Sequence, residues 1–294
     1  MKTLDLHGIF VAIATPYRSD ESLDEEGLRR LVRHLLPDVH GFVVNGTTGD
    51  FPLLTREERR RAVEIVVEEV SGQRPVIAGT GAIATSEVIS LTRDAQAAGA
   101  DAALIIAPYY LRPSAAGLRR HFSDVAAAVP ALPILLYNFP QLVGQIIPVE
   151  VIAGLHATVP NIIGMKDTSG DLIYLLTVLE TLPESFSVLA GRGTVVLPAL
   201  AAGAVGAILA CANLIPAQWQ AVFQAVQRGD WATARAGQYA AQRVSRLVGK
   251  GGSLTARVGL ELQGIPMGPP RRPLTAEGVL SERDLDELRE LLLA

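Results

Sequence analysis

Lys166 is the residue whose type and place in the chain point most directly to chemistry. The 294-residue sequence has 26 basic residues, and only Lys2, Lys166 and Lys250 among them are lysines, so arginine meets the general need for positive charge. An amine, unlike a guanidinium, can lose its proton, attack a carbonyl carbon and form an imine. Lys166 follows an apolar run at 161–165 that predicts a buried strand. It is therefore a candidate nucleophile, and the alternative is a structural lysine whose ammonium pairs with Asp167.

Eight short apolar runs, each followed by a helical pattern, supply the elements that would position this amine. The predicted strands cover residues 9–14, 41–45, 75–79, 102–106, 133–137, 161–165, 186–189 and 205–209. The predicted helices between them cover 24–36, 55–70, 85–98, 114–128, 148–156, 170–180 and 194–202. Uniformly apolar strands that alternate with helices favour a parallel α/β sheet buried on both faces, and eight of them can close into a (β/α)8 TIM barrel. A doubly wound open sheet is the alternative.

The pattern after residue 213 is helical only, with predicted helices at 216–228, 231–248, 253–263 and 275–292. No further strand is left for these helices to alternate with, so we expect the first to complete the barrel and the others to form a C-terminal helical appendage. This divides the chain into a barrel that carries the active site, residues 1–225, and a C-terminal helical region packed on the barrel, residues 226–294.

Composition excludes several classes of function. A net charge of −4 and a pI near 5.8 give no basic field for nucleic acid or lipid headgroups. The only cysteine is Cys211, and the five histidines are scattered, so we predict neither a disulfide framework nor a metal site. The amino terminus lacks the apolar core of a signal peptide, and no run of 18 apolar residues occurs. We expect a cytoplasmic protein without a membrane segment.

The residues that follow the strands define the candidate site, because the carboxyl ends of barrel strands meet at one face. Tyr137 ends the strand before that of Lys166 and is the candidate proton shuttle. Thr47 and Thr48, in the glycine-flanked turn at 46–50, offer hydroxyl and backbone N–H donors for a carboxylate. Taken singly, Tyr137 is better explained as an aromatic residue of the barrel rim, and 46–50 as an ordinary tight turn. Taken together with Lys166, these residues indicate a site.

Several motifs, in order and at family spacing, resemble the pyruvate-dependent class I aldolases, the family of dihydrodipicolinate synthase and N-acetylneuraminate lyase. They are GTTGD at 46–50 for the family's G-T-T-G-E loop, PYYLRP at 108–113, YNFP at 137–140 and GMKD at 164–167 for its G-x-K motif. The glycine-rich run at 203–208 and GIPMGPP at 264–270 match its late strand and its C-terminal signature. The resemblance covers essentially the whole chain.

The resemblance implies a role for each candidate residue. Lys166 would form a Schiff base with pyruvate or another 2-oxo acid, and Tyr137 would relay protons together with Thr47 and with Tyr110 from an adjacent subunit. The substrate-binding candidates are Thr48, Gly46, Arg192, Ile208 and Leu142. The resemblance further implies no metal or organic cofactor, a 2-oxo acid and an aldehyde as small-molecule partners, and a homotetramer built as a dimer of dimers.

Two departures from the family pattern bear on the second substrate. The synthase has an arginine two residues after the proline of its Y-N-x-P segment, for the acceptor's carboxylate, where this chain has Leu142. Sialate lyases have an acidic pair where this chain has Gly193 and Thr194. Arg192, in the same loop, either pairs with a second carboxylate or covers the rim.

We therefore predict a class I aldolase that condenses or cleaves pyruvate and an aldehyde, acting on a 2-keto-3-deoxy sugar acid or a 4-hydroxy-2-oxo acid. The alternative is the 4-hydroxy-tetrahydrodipicolinate synthase of lysine biosynthesis. A second alternative is a non-catalytic 2-oxo acid sensor or scaffold, although a sensor has no need of an imine-forming amine.

Overall fold

The eight predicted strands form one closed parallel barrel in the computed structural model, which describes residues 4–293. Each strand pairs with the next one along the chain, and the eighth pairs with the first, so the doubly wound alternative is wrong. The strands are β1 Gly8–Ala12, β2 Gly41–Val44, β3 Val76–Gly79, β4 Ala102–Ile106, β5 Ile134–Asn138, β6 Ile162–Asp167, β7 Ser187–Ala190 and β8 Gly206–Leu209. The TIM-barrel prediction is confirmed.

Helices cover the outside of the barrel and continue past its last strand. They are α1 Glu25–Leu35, α2 Arg56–Val70, α3 Thr85–Ala97, α4 Ala115–Ala128, α5 Pro140–Val143, α6 Val149–Thr158, α7 Leu172–Thr181, α8 Val196–Ala201, α9 Pro216–Gln227, α10 Trp231–Gly251, α11 Ser253–Leu262 and α12 Glu282–Leu293. Because helices cover the outer face and side chains fill the interior, nearly every strand residue is buried. This explains why the strands are uniformly apolar in sequence.

Polar side chains fix the ends of these elements. The side chain of Thr55 accepts a hydrogen bond from Glu58 N at 3.2 Å, and the Glu58 carboxylate accepts one from Thr55 N at 2.9 Å, so a capping box begins α2. At the seam between β8 and β1, Asn213 Nδ2 donates to Ala12 O at 2.8 Å and its Oδ1 accepts from Ala14 N at 3.1 Å. The barrel is thereby closed by side-chain as well as backbone hydrogen bonds.

Several element boundaries differ from the sequence prediction, among them the end of β6 and the start of α12. Strand β6 continues through Asp167, so Lys166 is the penultimate residue of a strand and its backbone is fixed by the sheet. Helix α12 begins at Glu282 and not at residue 275, since Gly278 has φ +71, which a helix excludes, and Ser281 Oγ accepts the Asp284 N–H at 3.1 Å as an N-cap. Helix α9 packs on β1 and ends at Gln227. The division of the chain at residue 225 stays a prediction.

Candidate active site

The ends of β5 and β6 place Tyr137 and Lys166 side by side, because these two residues are register partners in the sheet. Lys166 is only 4% exposed, and its Nζ lies 4.3 Å from the centroid of the Tyr137 ring. The hydroxyl of Tyr137 lies 3.3 Å from Thr47 Oγ1, which comes from the turn after β2. Three of the candidates chosen from sequence therefore form one contiguous group.

The neighbouring carboxylate of Asp167 does not pair with Lys166. It accepts hydrogen bonds from Asn138 Nδ2 at 2.7 Å and from Ser169 Oγ at 2.7 Å. Burial raises the pKa of this carboxyl, against the opposing effect of those hydrogen bonds. Within residues 4–293 Lys166 has no ion-pair partner, whereas Lys250 Nζ lies 2.7 Å from Asp284 Oδ1. The geometry therefore departs from that of a structural ion pair and leaves the Lys166 amine available to a carbonyl.

The turn after β2 presents backbone as well as hydroxyl groups. Residues Thr47–Gly49 form a single 3₁₀ turn, and Asp50 closes it in the left-handed region at φ +55 with its N–H bonded to Thr47 O at 3.1 Å. The first bond inside the turn runs from Gly49 N to Gly46 O at 3.0 Å, so the N–H groups of Thr47 and Thr48 precede it and have no partner within the turn. Gly46 and Thr48 are buried, and Thr47 is half-buried beside Tyr137.

Within the described residues, the candidates Tyr110, Leu142, Arg192 and Ile208 make no hydrogen bond to this group. Tyr110 is 89% exposed at φ +70, and Leu142 on α5 is 57% exposed. Arg192 is half-buried, its Nε donates to Thr168 O at 2.9 Å, and within the described part of the chain it has no carboxylate partner. Ile208 is fully buried in β8 opposite Phe10. The structure thus gathers the imine candidates and leaves Tyr110, Leu142 and Arg192 around the rim.

Sequence reasoning missed two arginines. Arg112 is exposed, and its guanidinium lies beside Gly144, where a built Cβ would stand 3.4 Å from Arg112 Nε. Arg257, on α11, is 4% exposed and packs under the turn that carries Thr47. For Arg257 a signal existed, because it interrupts a run of small and apolar residues on one helix. The place of Arg112 depends on how two rim loops pack, which no local pattern reveals.

Neither metal ligation nor a membrane span is indicated in the described residues. From residue 4 to residue 293, no three side chains of His, Cys, Asp or Glu are grouped closely enough to hold a metal ion. In the same range, no helix combines the length and the apolar character needed to cross a bilayer.

Comparison with known proteins decides the family, since a model described as the dihydrodipicolinate synthetase family matches residues 5–294. The chain belongs to this family. A 4-hydroxy-tetrahydrodipicolinate synthase of Methanoculleus marisnigri is 40% identical over 97% of this chain and 98% of its own length. One of the same name from Methanopyrus kandleri is 40% identical over 92% of this chain and 90% of its own length.

Solved structures of family members superpose on the whole chain. The dihydrodipicolinate synthase of Aquifex aeolicus has a TM-score of 0.93 at 32% identity, covering 98% of this chain and 97% of its own. YagE of E. coli K12, described as a prophage protein of the dihydrodipicolinic acid synthase family in complex with pyruvate, has a TM-score of 0.92 at 31% identity and covers 98% of both chains. This dihydrodipicolinate synthetase family member is accordingly a pyruvate-dependent carbon–carbon lyase, from a family that works through a lysine Schiff base.

Proposed function

We propose that Lys166 is the amine that forms the Schiff base with pyruvate. The observation that carries this proposal is the buried Lys166 Nζ, 4.3 Å from the Tyr137 ring centroid and without an ion-pair partner among residues 4–293. The neutral amine attacks C2 of pyruvate, and the resulting carbinolamine loses water to give the imine. Loss of a proton from C3 then gives an enamine, whose C3 attacks the aldehyde carbon. The nucleophile comes from the chain itself, so the proposal requires neither a metal nor an organic cofactor.

We assign proton transfer to Tyr137 and Thr47, because their oxygens are 3.3 Å apart and adjacent to Lys166. Tyr137 Oη delivers a proton to the departing carbinolamine hydroxyl and recovers one through Thr47. The free N–H groups of Thr47 and Thr48, with Gly46 behind them, hold the pyruvate carboxylate. Ile208 in β8 is proposed to line the barrel interior beneath the substrate.

A trapping experiment tests the imine. Pyruvate with borohydride is expected to inactivate the enzyme and to add one reduced pyruvyl group per chain, because hydride reduces an imine to a stable secondary amine. Peptide mass mapping should place the adduct on the segment that contains Lys166. Absence of any adduct would remove the proposal.

For the acceptor, our first candidate is the reaction in the relatives' name, 4-hydroxy-tetrahydrodipicolinate synthesis, in which pyruvate condenses with aspartate semialdehyde. The relatives from Methanoculleus marisnigri and Methanopyrus kandleri share that name, so the comparisons favour the alternative over our main sequence prediction. Leu142 lacks the charge expected of a synthase, but the Arg112 guanidinium beside Gly144 brings an arginine to the same part of the rim. We propose that Arg112 binds the acceptor's carboxylate bidentately.

The second candidate is a 2-keto-3-deoxy sugar acid or 4-hydroxy-2-oxo acid aldolase. Leu142 favours it, because leucine gives no partner to a desolvated carboxylate. Arg192 supports it as well, since Nε is fixed on Thr168 O and its terminal nitrogens have no carboxylate partner in the described residues. In this reading the guanidinium would hold the far carboxylate or hydroxyls of a longer substrate.

A panel of aldehydes offered with pyruvate, followed by product mass, separates the candidates. The synthase predicts the highest kcat/KM with aspartate semialdehyde, and the sugar-acid reading predicts it with uncharged hydroxyaldehydes such as glyceraldehyde. Binding of 2-oxo acids without turnover of any aldehyde would instead support the sensor or scaffold, which membership of an enzyme family disfavours.

We propose a homotetramer, built as a dimer of dimers, in which Tyr110 enters the site of a neighbouring subunit. Tyr110 and Leu111 form an exposed apolar loop end, and α7 exposes Ile173 and Leu176. Two exposed apolar groups, one on a loop and one on a helix, suit the two interfaces of a dimer of dimers. Light scattering should report four chains at working concentration, and a fully active monomer would contradict the proposal.

A further inference from the structure

We propose that Arg257 is the positioning residue of the pyruvate-carboxylate turn, residues 46–50, and that through it the C-terminal signature, residues 264–270, controls pyruvate affinity. The inference rests on the proposed function, which assigns that turn to the carboxylate. It gives a role to two features that the imine mechanism leaves unused, Asp50 of the GTTGD motif and the C-terminal signature.

Arg257 joins two separate parts of the chain beneath the turn. Its Nη2 donates to Thr15 O at 2.7 Å, just past β1, and its Nη1 donates to Met267 O at 2.5 Å and Gly268 O at 3.1 Å in the C-terminal signature. Its guanidinium also lies over the Tyr17 ring, 5.1 Å from the centroid. A buried guanidinium with this many carbonyl acceptors has one fixed position.

Two connections run from Arg257 up to the turn. The first goes through Thr15, whose Oγ1 donates to Gly49 O at 2.8 Å while its carbonyl accepts from Arg257. The second goes through Asp50, which is 4% exposed and whose Oδ2 lies 3.7 Å from Arg257 Nη2. The Asp50 backbone N–H is bonded to Thr47 O, so a shift of Asp50 is passed on to the residue that contacts Tyr137.

The C-terminal signature packs tightly against the segment that follows β1, so a shift of the signature would shift Arg257 and the turn above it. Tyr17 N donates to Met267 O at 2.9 Å, beside the Arg257 bond to the same carbonyl. Gly268 has φ +65, and a Cβ built there would stand 1.9 Å from Tyr17 O, so no other residue fits without moving the segment. Residues at the C-terminal end of the chain thus contribute to the site without touching substrate.

Charge explains why the effect should fall on pyruvate binding. Asp50 Oδ2 has no hydrogen-bond partner and lies 3.7 Å from Arg257 Nη2. Burial raises the pKa of this carboxyl, and the Arg257 guanidinium opposes that effect together with Ser253 and Arg271, so loss of Arg257 removes part of the compensation for a buried carboxylate. Without that guanidinium the carboxylate is driven towards solvent, and the turn that holds Thr47 and Thr48 moves with it. Lys166 and its strand remain in place, so imine chemistry should persist once pyruvate is bound.

The test measures the pyruvate concentration that gives half-maximal borohydride trapping, which requires no acceptor. For Arg257→Met we expect that concentration to rise about tenfold or more, because small displacements of a binding group are costly. The limiting trapping rate should fall by a smaller factor, since Lys166 and Tyr137 stay on their strands and only Thr47 of the proton relay lies in the displaced turn. Arg257→Lys should give a smaller rise, since it restores charge but not the forked contacts. Asp50→Asn in the Arg257→Met background should recover part of the affinity, because it removes the unpaired charge.

Leu288→Ala is the matched control, because Leu288 is fully buried in α12 and outside this network. It should lower Tm while leaving half-saturating pyruvate unchanged. Half-saturation within twofold of wild type in Arg257→Met, or an equal rise in Leu288→Ala, would overturn the inference. If Arg257→Met does not fold, Arg257→Lys decides by the same criterion. Absence of any wild-type adduct would instead refute the imine itself.

Discussion

The proposed site has two halves, the imine half around Lys166 and the acceptor rim around Tyr110 and Leu142, and they differ in how firmly the fold fixes their side chains. Around Lys166, side chains are buried and tied to strands or to one another, as in the contact of Tyr137 with Thr47 and the network of Asp50 beneath it. At the acceptor rim, Tyr110 and Leu142 are largely exposed and belong to a loop and to the single-turn helix α5.

This difference separates what the fold determines from what it leaves variable. The residues proposed for imine chemistry lie at strand ends and in a turn bonded to the barrel, so closing the barrel positions them. The rim half depends on individual side chains and on whatever a neighbouring subunit adds, and such residues can change without disturbing the core. Membership of the family therefore fixes the chemistry on pyruvate more firmly than it fixes the aldehyde.

The largest expected effect comes from breaking the imine half at its centre. Lys166→Arg keeps the positive charge but removes the only amine in the group, so turnover should fall by about a thousandfold or more and trapping should disappear. Lys250 is an internal control, because it is exposed and paired with Asp284 and should stay unmodified. Lys2 lies outside the described residues. An adduct on Lys250, or activity in Lys166→Arg, would refute the assignment.

Removing the proton relay should be less severe. Tyr137→Phe keeps the ring beside Lys166 and deletes the hydroxyl, so kcat should fall roughly a hundredfold while slow trapping by borohydride persists. Thr47→Val should lower kcat by less, since Tyr137 would still exchange protons with water. Single-turnover rates would show the order, and equal loss of trapping in Tyr137→Phe and Lys166→Arg would contradict the separation of roles.

Changes at the rim should alter the acceptor and spare pyruvate. Under the synthase proposal, Arg112→Met should lower kcat/KM for aspartate semialdehyde about tenfold, because a desolvated carboxylate loses its partner. Leu142→Arg should raise that value. As controls, neither change should alter kcat/KM for glyceraldehyde or the pyruvate concentration that gives half-maximal trapping. A rim variant that weakens pyruvate trapping would show that the two halves are not independent.

The sequence predicted the parts of the site that strand ends position, and it missed the parts that depend on tertiary packing. The strands and the meeting of Lys166, Tyr137 and Thr47 came from apolar periodicity and the rule that strand ends share one face. The start of α12 was wrong because the prediction passed through Gly278. The Arg257 network was missed because its partners come from distant parts of the chain and meet only through tertiary packing.

The smallest expected effect concerns an anchor of the imine half, the pair of Glu58 with Arg271. Arg271 Nη2 lies 2.6 Å from Glu58 Oε1 and its Nη1 lies 2.8 Å from Oε2, while Nη1 also donates to Leu53 O at 2.7 Å in the segment after the turn. The hydrogen bonds from Arg271 lower the pKa of Glu58, against the opposing effect of burial. A carboxyl whose pKa is lower in the folded state than in the unfolded state stabilises the fold at pH values above its unfolded-state pKa of about 4.3. This stabilisation is lost as the pH falls through the folded-state pKa.

We therefore expect Glu58→Gln to be less stable than wild type by about 1 kcal/mol at pH 7, and the difference to shrink below about pH 4. Glutamine can still serve the capping box with Thr55, so the substitution isolates the charge. Asp286→Asn, which breaks the exposed pair with Arg289, is the control and should change stability by under about 0.5 kcal/mol. Urea unfolding at pH 7 and pH 4 measures both. Acidification from pH 7 to pH 4 should lower the free energy of unfolding of wild type more than that of Glu58→Gln. If the two losses are equal, the charge of this pair does not stabilise the turn.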